Sequence, residues 1–110
     1  MAIRRQDGVV ILDIQGRVTI GPTNDLLSRE LRTLVSNGER KLLVNLAGVP
    51  QLDSSGISTI VRTFVTIRRE SGTLKLLHAT GHVQEVLDIT HLTHSIPAFQ
   101  DEAKALESFR

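Results

Sequence analysis

The sequence predicts an α/β fold: a small mixed β-sheet of four to five strands with about four helices packed on it. Three observations predict it. Short apolar and β-branched runs alternate with segments whose apolar residues recur at helical spacing. The first two strand-like runs meet at Asp7-Gly8, a hairpin signal that makes one antiparallel pair. The later runs are separated by helix-length segments, the pattern of parallel strands joined by right-handed crossovers.

The elements follow in order. Ile3 to Gln6 and Val9 to Gln15 are strands, because Asp and Gly both accept the positive φ of a tight turn and Val9-Val10-Ile11-Leu12 is rich in β-branched residues. Gly16 ends the second strand. Thr23 or Asn24 can cap a helix that runs to about Ser36, with Leu27, Leu31, Leu34 and Val35 on one face and Asn37-Gly38 as its stop. Lys41 to Leu46 is short and nearly continuous in apolar residues, as a buried central strand is. Asp53-Ser54-Ser55-Gly56 then opens a helix whose inward stripe reads Ile57, Ile60, Val61, Phe64 and Val65, and Ser71-Gly72 stops it. Thr73 to His78 is the next buried strand. A shorter helix carries Val83, Val86 and Leu87 inward. After a brief extended piece near Ser95-Ile96, a last helix begins beside Pro97 and buries Phe99, Ala103 and Leu106.

The 110 residues are read as a single domain spanning 1–110, large enough to bury a core without a disulfide or metal staple. There is no Cys, which excludes disulfides, thiolate metal sites and cysteine nucleophiles and fits a reducing compartment. The 13 basic residues are scattered among 12 acidic ones, so no stripe for a nucleic-acid backbone is expected. Three Phe with no Trp or Tyr leave little material for base stacking or an aromatic pocket. No apolar run approaches the roughly 20 residues that span a bilayer, and Met1 to Gly8 lacks a signal-peptide core. The expectation is a cytoplasmic protein without membrane insertion, a monomer or weak dimer, with no cofactor.

One constellation is informative. Asp53-Ser54-Ser55-Gly56 lies between a central strand and the apolar face of the next helix. A helix start presents unpaired N–H groups and the positive end of the dipole. Strand-to-helix loops of α/β sheets are also where partners dock. A phosphate on a serine there adds about −1.5 to −2 charges and changes the surface without changing the fold. Gly56 removes side-chain bulk, so that another chain's backbone can come close. The plain alternative is that Asp and Ser are ordinary helix caps. Ser55, Ser58, Arg62, Thr66 and Arg69, three and four apart, form a polar, partly basic face running away from this turn, either a solvated face or a docking surface.

Leu46-Ala47-Gly48-Val49-Pro50-Gln51-Leu52-Asp53-Ser54-Ser55-Gly56-Ile57 resembles the signature of the STAS domain family, and within it the bacterial anti-sigma-factor antagonists. The likeness extends over essentially the whole chain. It implies a small mixed sheet covered by helices and a partner-switching role in transcription. The unphosphorylated protein would bind an anti-sigma factor that is also a serine kinase. Phosphorylation of Ser55, with Ser54 as the second candidate, would end the interaction, and a serine phosphatase would restore it. Asp53, Ser54, Ser55, Gly56, Ser58 and Arg62 are the implied contact residues, with Thr19 and Asn24 from the earlier loop. One departure stands out. Many members carry Gly-x-Leu-Asp after the second strand, and here Gly16-Arg17-Val18-Thr19 puts Thr19 at the acidic position, with Asn24 and Asp25 nearby as stand-ins.

Other classes fit less well. A serine nucleophile needs a base in reach, yet no His is near Ser55 in sequence and no Gly-x-Ser-x-Gly elbow is present, so an enzyme is not expected. His78 with His82 and His91 with His94 have metal-like spacings, but only Glu85 and Asp88 accompany them, and they read as surface histidines with no metal. No phosphate-binding Gly-rich loop exists; weak nucleotide binding at the Ser55 turn is implied only by the family. The alternative role within the family is a subunit of a transporter or lipid-transport complex, or of a stress-sensing scaffold.

Overall fold

The computed structural model describes residues 1–110. Its elements are β1 (Ala2–Gln6), β2 (Val9–Gln15), α1 (Pro22–Ser36), β3 (Lys41–Gly48), α2 (Ser54–Arg69), β4 (Thr73–Leu77), α3 (Gly81–Ile89), a single 3-10 turn (Leu92–His94), β5 (Ala98–Phe99) and α4 (Glu102–Glu107). This is the small mixed sheet with four helices that the sequence predicts. Asp7 and Gly8 both take positive φ, 54° and 80°, as the β1–β2 turn requires.

The strands lie in sequence order, β1-β2-β3-β4-β5, with β1 antiparallel and the other pairs parallel. Each crossover moves one place in the same direction. Right-handed crossovers in one direction put their helices on one face of the sheet. That face carries Val10, Leu12, Ile14, Leu42, Val44, Leu46, Leu74 and Leu76, packed against Leu27, Leu31, Ile60, Ile67, Val83 and Leu87 of α1, α2 and α3. The period of two sends Val9, Ile11, Leu43 and Leu77 to the opposite face, where α4 and its extension cover them with Ala105, Leu106 and Phe109.

Four expectations are corrected. Neither Thr23 nor Asn24 caps α1: the cap lies two to three residues earlier, with Gly21 at the cap and Pro22 at the first position. The inward stripe of α2 is rotated. Thr59 and Ile67 are buried, Val61 and Phe64 are half-buried and Val65 is exposed, because a buried Gly56 brings the first turn close to the sheet. The last strand is Ala98–Phe99, and buried Ile96 only precedes it. The last helix begins at Asp101, whose carboxylate accepts from the Lys104 N–H. It buries Ala105, Leu106 and Phe109 and leaves Ala103 exposed, while Phe99 packs from the strand.

Candidate functional site

The loop after β2 and the loop after β3 run side by side at the carboxyl ends of two parallel strands. Val18 pairs with Leu52 in a one-residue parallel bridge, through Val18 N–H to Gln51 C=O at 2.9 Å and Asp53 N–H to Val18 C=O at 3.3 Å. The chain then turns into α2 with Asp53 as cap. One carboxylate oxygen of Asp53, Oδ1, accepts the backbone N–H of Ser55 at 2.9 Å and of Gly56 at 3.1 Å, and the Ser55 hydroxyl at 2.5 Å. The other, Oδ2, accepts the N–H of Ile20 at 3.1 Å. These bonds favour the ionised form. The Ser55 hydroxyl, then the Gly56 amide, hold the carboxyl below its ordinary range.

The helix start is thus not a bare set of donors. Asp53 already satisfies two of its amides and neutralises part of the dipole end. A phosphate on Ser55 would lose the hydroxyl's bond to Asp53 and sit beside a carboxylate, which turns it outward. Ser54 is exposed and its hydroxyl makes no hydrogen bond within the chain; Ser55 is half-buried.

Gly56 has a different partner from the one expected. A Cβ there would stand 2.4 Å from the Val18 carbonyl oxygen and 2.6 Å from a Leu52 methyl. The backbone that approaches it belongs to this chain, and Gly56 is buried. Asn24 is also beneath the surface, 8% exposed, where its Oδ1 accepts the Thr59 hydroxyl at 2.9 Å. It therefore ties α1 to α2 and is not free to stand in for a surface acid; Asp25 is the exposed one of the pair. Thr19 is half-buried in the first loop, one residue before the Ile20 amide held by Asp53. Ser58 and Arg62 lie exposed along α2, with the Arg62 Nε–H bonded to the Ser58 carbonyl at 3.3 Å. The structure brings Thr19, Asp53, Ser54 and Ser55 together, with Ser58 and Arg62 continuing away along the helix.

Sequence reasoning missed Ile20. It is 85% exposed, the most exposed large apolar side chain, and it rides on the loop that Asp53 pins. The available signal was an isoleucine set between Gly16 and Gly21-Pro22, with no periodic apolar neighbour to pack against. No group of three or more potential metal ligands occurs; His91 and His94 only stack, with ring centroids 5.0 Å apart. No helix is long and apolar enough to cross a membrane.

Known proteins share this fold. "Putative anti-sigma factor antagonist BtrV" of Bordetella bronchiseptica is 27% identical over 104 residues, 94% of this chain and 89% of that protein. An anti-sigma factor antagonist from Mycobacterium paratuberculosis superposes with a TM-score of 0.88 at 20% identity, over 99% of this chain and 92% of that one. The phosphorylated form of the Bacillus cell fate determinant SpoIIAA gives 0.76 at 15% identity, over 99% and 98%. A sulfate transporter family protein from Wolinella succinogenes gives 0.74 at 17%, over 92% and 84%. At these identities the structural likenesses are likenesses of fold. A family model for the STAS domain matches residues 1–105. From its strand order to the Asp53-capped turn, the chain belongs to the STAS domain family.

Proposed function

We propose that this domain is an anti-sigma-factor antagonist, a non-enzymatic partner switch set by phosphorylation of Ser55. The observation that carries the reading is the turn itself: a serine at the second position of α2, its hydroxyl at the surface end of the sheet and held by Asp53. The unphosphorylated surface of Thr19, Ile20, Asp53, Ser54, Ser55, Ser58 and Arg62 docks an anti-sigma factor that is also a serine kinase. The kinase places a phosphate on Ser55. Next to the Asp53 carboxylate, the added charge of about −1.5 to −2 makes the centre of the contact strongly anionic and hydrated. A docked partner then meets like charge and a desolvation cost, and it leaves. A serine phosphatase resets the surface. Its working place is the cytoplasm. Support comes from the 27% identical relative with that name and from the shared fold of an antagonist known in a phosphorylated form.

The test has two parts. Peptide mass spectrometry on protein from its native host should find one phosphate on the peptide spanning Asp53 to Gly56, at Ser55. Affinity capture with Ser55→Ala should retain a kinase, and Ser55→Asp should lose it by at least tenfold in affinity. The fold shared with a transporter-family protein favours one second reading, a subunit of a transport complex. Recovery of a permease or ATPase with both variants, and no kinase with either, selects that reading.

A further inference from the structure

Helices α1 and α2 diverge enough to leave a groove of about 290 Å³, two turns long on each helix. Ser28, Leu31, Arg32, Val35 and Ser36 line it from α1, and Thr59, Arg62, Thr63 and Thr66 from α2. Val35 is its half-buried aliphatic residue, and Leu31 lies fully buried beneath. The Thr59 and Thr63 hydroxyls are spent elsewhere: Thr63 Oγ1 donates to the Thr59 carbonyl at 2.9 Å, and Thr59 Oγ1 to Asn24. Neither hydroxyl is free to donate to a ligand, and Thr59 is buried. The hydroxyls of Ser28, Ser36 and Thr66 make no hydrogen bond within the chain.

The charges are one-sided. Arg32 and Arg62 face the groove from opposite helices, and each is steadied in the same way, by its Nε–H on the carbonyl four residues earlier, Ser28 at 3.4 Å and Ser58 at 3.3 Å. That leaves the terminal amino groups of both guanidinium groups without an acceptor. Neither arginine is among the chain's ion pairs, which use Arg4, Arg5, Arg40 and Arg110, and no carboxylate lines the groove. Two guanidinium forks beside aliphatic surface match one ligand chemistry: a small organic anion with an alkyl body. The groove has no aromatic side chain on which a nucleobase could stack. Its volume lies at the small end of ligand sites, which suits one unbranched chain.

We infer that the α1–α2 groove is a binding site for a medium-chain carboxylate, its head between Arg32 and Arg62 and its chain along Val35, Thr63 and Thr66. This goes beyond partner switching and does not depend on it, because the assay contains no partner protein. Octanoate is titrated into the full-length protein and followed by amide NMR, with octanol and acetate as controls. Saturable shifts confined to residues 28–36 and 59–66, with octanol and acetate each at least tenfold weaker, are expected. Arg32→Gln and Arg62→Gln each weaken octanoate roughly tenfold and leave the circular dichroism unchanged, since both side chains are exposed. No saturable shift up to millimolar octanoate overturns the inference and assigns the groove to solvent or to an acidic protein segment. Equal shifts with octanol, or affinity indifferent to both arginines, also overturn it, because the site would then be one of apolar contact alone.

Discussion

Asp53 accepts four hydrogen bonds from three residues, and two of them reach across to different parts of the site: the hydroxyl of Ser55 and the amide of Ile20. The cap was legible in the sequence, since an Asp before Ser-Ser-Gly and an apolar stripe is a helix start. Its second job was not, because a bond between residues 20 and 53 has no local signal. Gly56 shows the same split. Its presence was readable, but the reason lies in Val18, 38 positions away in sequence and in contact only after β2 and β3 pair. Gly56→Ala must push α2 off the Val18 carbonyl. Overpacking of this kind costs about 1–3 kcal/mol, and chemical denaturation should read that loss, with the N–H of Ile20 and Ser55 shifting in the NMR spectrum. An unchanged midpoint would mean that the turn has room to give.

At the scale of elements, periodicity located all four helices but misjudged two faces. The α2 stripe was drawn through Val61 and Val65, whereas the buried side also holds Thr59, whose hydroxyl donates to Asn24 of α1. A polar pair buried between helices is invisible to an apolar count. The last helix was placed too early because Pro97 resembled a helix start. Pro97 instead leads into β5, and its carbonyl accepts from Leu76 N–H at 2.9 Å. What fastens α4 is partly ionic. The Arg4 guanidinium takes Asp13 of β2 and Glu102 of α4 together, at 2.5 and 2.8 Å, and Asn45 of β3 donates to Asp13 at 2.7 Å.

That cluster has a pH consequence. Arg4 holds the Asp13 and Glu102 carboxyls below their ordinary range against the opposing effect of burial. Groups that ionise more readily in the folded state contribute fully above the unfolded carboxylate values, near ~4. They lose that contribution as pH falls through the lower folded values. The thermal midpoint should therefore change little from these groups between pH 7 and about 5 and fall below about 4. Arg4→Ala should lower the neutral-pH midpoint and flatten the acid decline. An equally steep decline in the variant would place the acid sensitivity elsewhere, Asp53 being the next candidate.

For the whole molecule, the fold class followed from alternation and the hairpin, and the layer arrangement follows from strand order, which no local pattern encodes. Three helices share one face because every crossover steps the same way, and a single short helix guards the other. The proposed contact surface sits at the strand ends, on a turn that packs over Val18 and Leu52 of the larger core. Ser55 is half-buried and its hydroxyl bonds the Asp53 cap, so Ser55→Asp should lower stability by about 1 kcal/mol, the scale of a damaged cap, without changing the fold, and a melt beside the parent checks this. Phe109 is the larger case. It is 8% exposed, it closes the α4 side, and the Lys75 ammonium lies 4.6 Å from its ring centroid. Phe109→Ala should cost about 3 kcal/mol, and hydrogen exchange should open first in α4.

The one-way strand order also sets how the chain can fold while it is being made. Each parallel strand finds its partner in the strand immediately before it in sequence, so the sheet can lengthen strand by strand as the chain emerges, each step closing one helical crossover. The three-helix side is finished along the way. Val9, Ile11, Leu43 and Leu77 meet no cover until Ala105, Leu106 and Phe109 arrive. A ribosome-bound chain stalled before residue 100 would carry a bare apolar sheet face, the kind of surface that recruits chaperones or a second nascent chain.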